Sequence, residues 1–435
     1  MTARDPRSAR SQARPAWTAW RVVVSFGVAS LAADMVYEGA RSLYGPLLAS
    51  LGATAAVVGL VTGAGEAMAL VLRLVFCPLA DRSGRYWALT LAGYGLTAVA
   101  VPLLAVTPFL PSGQGGAAAG GAGLLLASVL ILLERSGKAV RSPSKSALLA
   151  HVAGAVGRGR GFGVHKALDQ LGAFAGPLVV AAVVAATGAL WPALLVLVVP
   201  GAATMAVLLV IRARVPDPSV YDSTTDAPGS AVRAARPPLR GWLRDALGAD
   251  LPPEFFRYAI AAGLMTGGLL TFGIVGYHLT VSRLVPVAAV PVVYAGAMLA
   301  EAVAALGVGW AYDRISTRVL YAVPVLVALV PGLALSSQLG TALAGVLVWG
   351  LAFGVQDSTV KAIVADLVAP SRRATAYGVF AGIEGVMAVV GGAGAGWLYE
   401  RSLTTLVVVV AAAQVVALGL LVRTLKRRSL TGPMG

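Results

Sequence analysis

Residues 134–177 read ERSGKAVRSPSKSALLAHVAGAVGRGRGFGVHKALDQLGAFAGP and set charged side chains within apolar sequence. Two sets of residues recur at the spacing of one helix face: Glu134, Lys138, Arg141 and Lys145, and then His165, Asp169, Gly172 and Gly176. An ionisable residue in a membrane helix costs about 2.5–3.5 kcal/mol on insertion scales, so such residues usually face a bundle interior or a wet cavity. The stretch therefore predicts two consecutive helices whose charged faces form the walls of a polar path.

This stretch has a counterpart in the second half of the chain. A constant shift in numbering places Gly163 on Gly378, Asp169 on Glu384 and Gly176 on Gly391. Internal repeats of this length are typical of transporters. We therefore expect two related halves.

The composition excludes a soluble globular protein. Hydrophobic residues make up 58% of the 435 residues, charged residues make up 12%, and the mean hydropathy is +0.81. The 52 glycines suit membrane helices that approach each other closely, and the single cysteine, Cys77, excludes an intrachain disulfide. The sequence contains no metal-ligand spacing, phosphate-binding loop or nucleotide motif. We therefore expect a protein that is not an enzyme, has no cofactor and is not driven by ATP.

The net charge of +15 would suit a nucleic-acid partner, but its distribution argues against one. Arginines are concentrated in alternate loops, those after the second, fourth, sixth, eighth and tenth apolar spans. This is the pattern of the positive-inside rule, so the expected partner is a lipid bilayer. It places both termini in the cytoplasm and the protein in the plasma (inner) membrane of the cell.

Spans of roughly 20 apolar residues cross a bilayer, and twelve are predicted. They lie near 20–43, 54–79, 86–109, 121–150, 161–187, 190–212, 256–281, 287–311, 317–336, 340–368, 374–399 and 403–424. The predicted fold is an all-α membrane protein of two six-helix bundles, 20–212 and 255–424. A cytoplasmic tail (1–19), a proline-rich cytoplasmic linker (213–254) and a second tail (425–435) complete the chain, and 239–247 is either a surface helix or a solvated loop.

The turn after the second span, Cys77–Arg85, resembles the loop signature G-x-L-A-D-R-x-G-R-K of the major facilitator superfamily. Asp81, Arg82, Gly84 and Arg85 match it, Cys77 stands in place of the first glycine, and Tyr86 stands in place of the last basic residue. A weaker copy containing Asp313 and Arg314 follows the eighth span. The resemblance implies two bundles related by a pseudo-two-fold axis, a central solute site, alternating access and a cytoplasmic gate formed by these two loops.

The fifth span contains Gly163, Gly172, Gly176 and Pro177 at the spacing of the superfamily's antiporter motif. It is similar to that motif in bacterial drug/proton antiporters, which favours export. Val180 and Ala181 stand where the motif ends in two glycines. Tight helix packing with a kink explains the same residues equally well.

Candidate proton-coupling residues are Asp34, Glu38 and Asp169. Asp34 and Glu38 lie one turn apart in the first span, and two carboxylates held close share a proton readily. An ion pair between Glu38 and Arg41 is the structural alternative, and Asp169 fits a gate network as well as a solute site. The residues predicted to line the solute path are Tyr37, Arg41, Glu66, Glu134, Arg135, Lys138, Arg141 and Glu384.

We therefore predict a monomeric secondary transporter that moves a small organic solute, coupled to protons, with export favoured. Uptake of an organic anion by proton symport remains an alternative, because basic residues lie in the fourth span. A transport-inactive sensor or scaffold with the same fold is the alternative of another class. The ionisable residues within apolar spans argue against it, because a scaffold does not need them.

Overall fold

The computed structural model describes residues 17–111, 121–222, 251–368 and 372–431. These residues form helices and contain no strand. The first half has α1 (Ala19–Ser50), α2 (Ala55–Ser83), α3 (Tyr86–Leu103), α4 (Ala122–Val156), α5 (Arg158–Thr187), α6 (Leu190–Leu195) and α7 (Val198–Arg214). The second half has α8 (Pro253–Gly268), α9 (Phe272–Val281), α10 (Val290–Ile315), α11 (Ala322–Ala334), α12 (Leu339–Leu367), α13 (Arg373–Arg401) and α14 (Leu403–Thr431).

The described helices account for the twelve predicted spans, and the predicted all-α fold is confirmed. Eleven spans are long and apolar enough to cross a membrane, with α6–α7 and α8–α9 each forming one broken span. The twelfth is α4, whose 35 residues are long enough but carry five charges near their centre. Several helices outrun their predicted ends: α1 continues to Ser50, and α14 continues to Thr431 into the predicted tail. Most of the predicted linker, residues 223–250, lies outside the described part of the chain.

Separate hydrophobic cores define two bundles. One core joins α8–α14 and includes Phe255, Val327 and Trp349, and the helices of the first half share two others. The bundles meet where α1 packs on α9, α2 on α13 and α5 on α10.

Glycines close the bundle interface at the end opposite the chain termini. A Cβ atom added to Gly59 would lie less than 3.0 Å from the carbonyl oxygen of Gly392, and one added to Gly45 would meet the backbone of Gly273 equally closely. Thr62 and Thr271 share a hydrogen bond of 2.7 Å across the same region. The backbones therefore touch at this end, so the molecule is in a conformation that is shut there.

Candidate functional site

A cavity of about 390 Å³ lies between the bundles and opens toward the end that carries the termini. Helices α1, α2, α4 and α5 form one wall, and α8, α10, α12 and α13 form the other. Near the open end, the Lys166 side chain is 62% exposed. The cavity volume lies within the range of small-molecule sites in proteins.

A cluster of ion pairs centred on Glu66 forms the closed end of the first wall. Oε1 of Glu66 lies 2.7 Å from Nη2 of Arg41 and 3.4 Å from Nη1 of Arg135. Arg135 also donates a hydrogen bond to the hydroxyl of Tyr37. Because buried charges are stable only when they are paired, Glu66 holds both guanidinium groups in place.

Glu134 and Arg135 lie behind this wall and are not among the residues that line the cavity. Glu134 is fully buried, accepts a hydrogen bond of 3.1 Å from the Tyr44 hydroxyl, and lies 3.6 Å from Nε of Arg135. Their placement differs from the predicted solute path, because the first turn of the charged stripe on α4 packs against α1 and α2. Lys138 and Arg141, further along that stripe, do line the cavity.

The carboxyl groups of Asp34 on α1 and Asp169 on α5 lie within hydrogen-bonding range of each other. Ser30 donates to Oδ1 of Asp169 at 2.8 Å, and Nζ of Lys166 lies 3.1 Å from its Oδ2. Arg141 lies 3.9 Å from Asp34. The pair therefore joins α1 and α5 and is surrounded by cations.

This pairing differs from the one that the sequence suggested between Asp34 and Glu38. Glu38 instead accepts a hydrogen bond from Tyr294 of the other bundle and lies 3.7 Å from Nη1 of Arg41. The alternative interpretation, an ion pair between Glu38 and Arg41, matches this contact. Residues one turn apart on a helix lie side by side, and here each is drawn to a partner on a different helix.

The glycines of the antiporter-like motif explain why α1 and α5 approach so closely. Cβ atoms added to Gly172 and Gly176 would lie less than 3.0 Å from the backbone oxygens of Leu31 and Met35. Gly163, in contrast, has nothing within 4 Å of such an atom. Two of the three motif glycines are thus needed for helix packing, and that packing brings Asp169 to Asp34.

The second wall combines acids with aromatic rings. Thr266 donates to Glu384 at 3.2 Å and accepts from Gln356 at 2.7 Å. Glu301 also lines this wall, as do Trp349 and Phe353, whose rings stack at 5.5 Å. The sequence interpretation missed the aromatic lining and Tyr294, because an aromatic residue in an apolar span has no distinguishing spacing. Glu301 is recognisable as a candidate from the sequence, because it is a lone acid in the middle of such a span.

The predicted gate residues lie at the open end, and those whose side chains the structure describes are exposed. Helix α2 ends at Ser83, and Gly84 takes the left-handed conformation with φ of 62° that ends many helices. The exposed Asp81 accepts a hydrogen bond of 3.3 Å from Tyr86, and Arg82 and Arg85 are exposed beside it. In the second copy, Arg314 stacks on Trp310 at 3.8 Å, and the side chain of Asp313 lies outside the described residues. This is the arrangement expected of a gate that is open.

Comparisons with known proteins agree with this architecture. The sequence model of the Major Facilitator Superfamily matches residues 26–296 and 275–433. Uncharacterized proteins of Mycobacterium tuberculosis and Mycobacterium bovis are 49% identical over 406 residues, which cover 93% of this chain and 93% of each relative.

Solved structures with the same fold include a mutant of the nucleoside transporter NupG, with a TM-score of 0.71 at 14% identity, covering 93% of this chain and 99% of that one. A mutant of the peptide transporter POT has a TM-score of 0.70 at 14% identity, covering 95% and 96%. An inward-facing bacterial homologue of the lysosomal transporter Spinster has a TM-score of 0.64 at 14% identity, covering 94% and 95%.

Proposed function

The chain belongs to the major facilitator superfamily, a family of secondary transporters that work by alternating access, and on this premise we propose that it exports a small organic solute in exchange for protons. It would act as a monomer in the plasma membrane, with both termini in the cytoplasm. The described cavity would then be the inward-open solute site. The observation that carries the proposal is the contact between the Asp34 and Asp169 carboxyl groups on its wall.

Two carboxylates in contact repel each other when both are ionised, so the pair favours the binding of one proton. When that proton leaves, the pair carries an additional negative charge. A cationic group of a solute and a proton would then compete for the same pair. Competition of this kind couples inward proton movement to outward solute movement, since each empties the site for the other.

Symport of an organic anion is the second candidate, and the cations around the pair favour it. Protonation of Asp34 would release Arg141, and protonation of Asp169 would release Lys166, for an anionic solute. Proton and anion would then bind together. The two candidates differ in how the solute affects a proton gradient.

Everted membrane vesicles distinguish these candidates. In vesicles acidified by respiration, an exported solute added outside should release protons, which a quenched acridine dye reports as recovered fluorescence. Asp34→Asn and Asp169→Asn should abolish that recovery. Glu400→Gln should retain it, because Glu400 lies at the C-terminal end of α13 and does not line the cavity. Should a solute instead acidify the lumen of proteoliposomes that it enters, symport is the function. A transport-inactive scaffold would give neither signal with any member of a broad solute set.

A further inference from the structure

The ionisable groups of the cavity are unequally divided between its walls. The described cations that line it all come from the first bundle, whereas the second bundle contributes Glu301, Asp357 and Glu384. Asp357 already has a polar or electrostatic interaction within the protein. Glu384 is bonded to Thr266. Glu301 therefore remains as the acid of the second wall that is best placed for a solute.

The amine of Lys166 marks a position for a cation between the walls. It lies 3.1 Å from Asp169 and within electrostatic range of both Asp34 and Glu301. The Lys166 side chain is exposed and flexible, so a solute amine can displace it without breaking a buried pair. Acids from both bundles would then surround the solute amine.

Three cations that line the cavity, Lys138, Arg73 and Lys145, have no carboxylate oxygen within 4 Å among the described residues, and Lys145 donates a hydrogen bond of 3.0 Å to Ser30. Lys138 lies 3.8 Å above the ring of Tyr37 instead, and Nε of Arg73 is buried without a hydrogen-bond partner. A buried polar group without a partner is costly, so Lys138 and Arg73 favour an anionic group on a ligand.

Phe353, with the buried Trp349 stacked behind it, offers an apolar surface from the second wall. An aromatic surface of this kind binds the uncharged part of a small ligand. The lining therefore has three chemically different regions within one cavity.

We propose that the solute is amphoteric: its amine lies among Asp34, Asp169 and Glu301, its anionic group on Lys138 and Arg73, and its apolar body on Phe353. The inference rests on the proposed function only in taking this cavity as the solute site. It does not depend on the direction of transport. Competition between the amine and a proton for the aspartate pair is the form of coupling that antiport requires.

Thermal unfolding of the purified protein in detergent, without any proton gradient, tests the proposal. The probes are ω-amino acids, aminomethyl aryl carboxylic acids and dipeptides at up to millimolar concentrations, each beside its methyl ester and its N-acetyl derivative. The ester keeps only the positive charge, and the N-acetyl derivative keeps only the negative charge. At least one amphoteric probe should stabilise the protein more than either of its own derivatives.

Variants assign the two ends of the probe. Glu301→Gln should weaken binding of the amphoteric probe by about 10-fold or more and leave the N-acetyl derivative unaffected. Lys138→Gln and Arg73→Gln should weaken binding of the amphoteric probe and leave binding of its methyl ester unaffected. Glu400→Gln, outside the cavity, should bind like the original chain and controls for the loss of an acid.

The proposal is overturned if an ester or an N-acetyl derivative binds as well as its parent, if the preference survives in Glu301→Gln, or if no amphoteric probe binds. These outcomes are separate from those for proton coupling. Loss of the preference while Asp34→Asn still abolishes proton release would reject the solute class and leave exchange standing. A preference for the amphoteric probe, together with normal proton release in Asp34→Asn, would reject exchange and leave the solute class standing.

Discussion

At the scale of single residues, the Glu66 carboxylate determines how the buried charges are paired. One carboxylate oxygen holds Arg41 on α1 and Arg135 on α4, so three helices meet at this atom. Removing one partner of a buried pair leaves the remaining charge uncompensated, which costs about 3–5 kcal/mol. The Glu66 side chain is 27% exposed, which leaves most of that cost in force.

Glu66→Gln should therefore lower the free energy of unfolding by less than the full cost of about 3–5 kcal/mol, because the two guanidinium groups lose their common anion but keep longer contacts, Arg41 with Glu38 at 3.7 Å and Arg135 with Glu134 at 3.6 Å. Unfolding of the purified variant in detergent measures this. Glu400→Gln, whose exposed carboxylate accepts one hydrogen bond from the backbone of Ala56 at 3.2 Å, is the matched control and should change little. Equal stability of the two variants would mean that solvent in the cavity, rather than Glu66, compensates the arginines.

The sequence predicted which residue types the site contains better than it predicted their partners. Lys138 and Arg141 line the cavity as the stripe on α4 indicated, since helical spacing alone determines that they share a face. The partner of Asp34 could not be derived in this way. It depends on which residue of α5 faces α1, and that is set by contacts between elements distant in sequence. Glu134 points away from the cavity for the same reason.

At the scale of elements, the crossing of α1 and α5 builds the carboxyl pair. Gly172 and Gly176 let the two backbones touch, and Asp169 precedes Gly172 by one turn. The glycine spacing was therefore a usable signal for this contact. What the spacing could not distinguish is whether the glycines mark antiport or close packing, because the same packing serves the proposed proton site.

Gly172→Ala should separate α1 from α5 and cost about 1–3 kcal/mol, the usual penalty for overfilling a packed interface. Proton release from vesicles should fall with it, because Asp34 and Asp169 move apart. Gly163→Ala is the control on the same helix. It meets nothing within 4 Å and should be neutral or stabilising by up to about 1 kcal/mol, since alanine favours the helix. Equal losses of stability and of proton release in the two variants would show that the glycines act through backbone flexibility rather than through close packing.

At the scale of the whole molecule, hydropathy predicted twelve spans because each helix must bury an apolar length equal to the bilayer. The orientation across the membrane rests on arginine placement and stays a prediction. In a chain lacking Cys77, Ser83→Cys at the end of α2 should react with an impermeant maleimide only in everted vesicles. Ser337→Cys, between α11 and α12, should react only in intact cells. The reverse pattern would invert the proposed direction of the cavity.

Alternating access requires the closed end of the bundle interface to open. Glycine contacts between α2 and α13 allow that end to close in this structure. Gly392 lines the closed end of the cavity and touches Gly59 and Gly63, so a methyl group there disfavours this conformation. Each 1.4 kcal/mol of such a penalty changes the ratio of conformations about 10-fold. Gly394, two residues on, has nothing within 4 Å and provides the control.

Gly392→Ala should therefore shift the molecule toward the conformation that opens on the other side. Two reporter cysteines in a Cys77-free chain follow the shift: Gln170→Cys in the cavity and Thr62→Cys at the closed end. Maleimide reactivity should fall at position 170 and rise at position 62, and Gly394→Ala should change neither. Global unfolding would raise both rates, so only opposite changes support the shift. Unchanged rates at both positions would mean that the glycine contacts do not control which end is open.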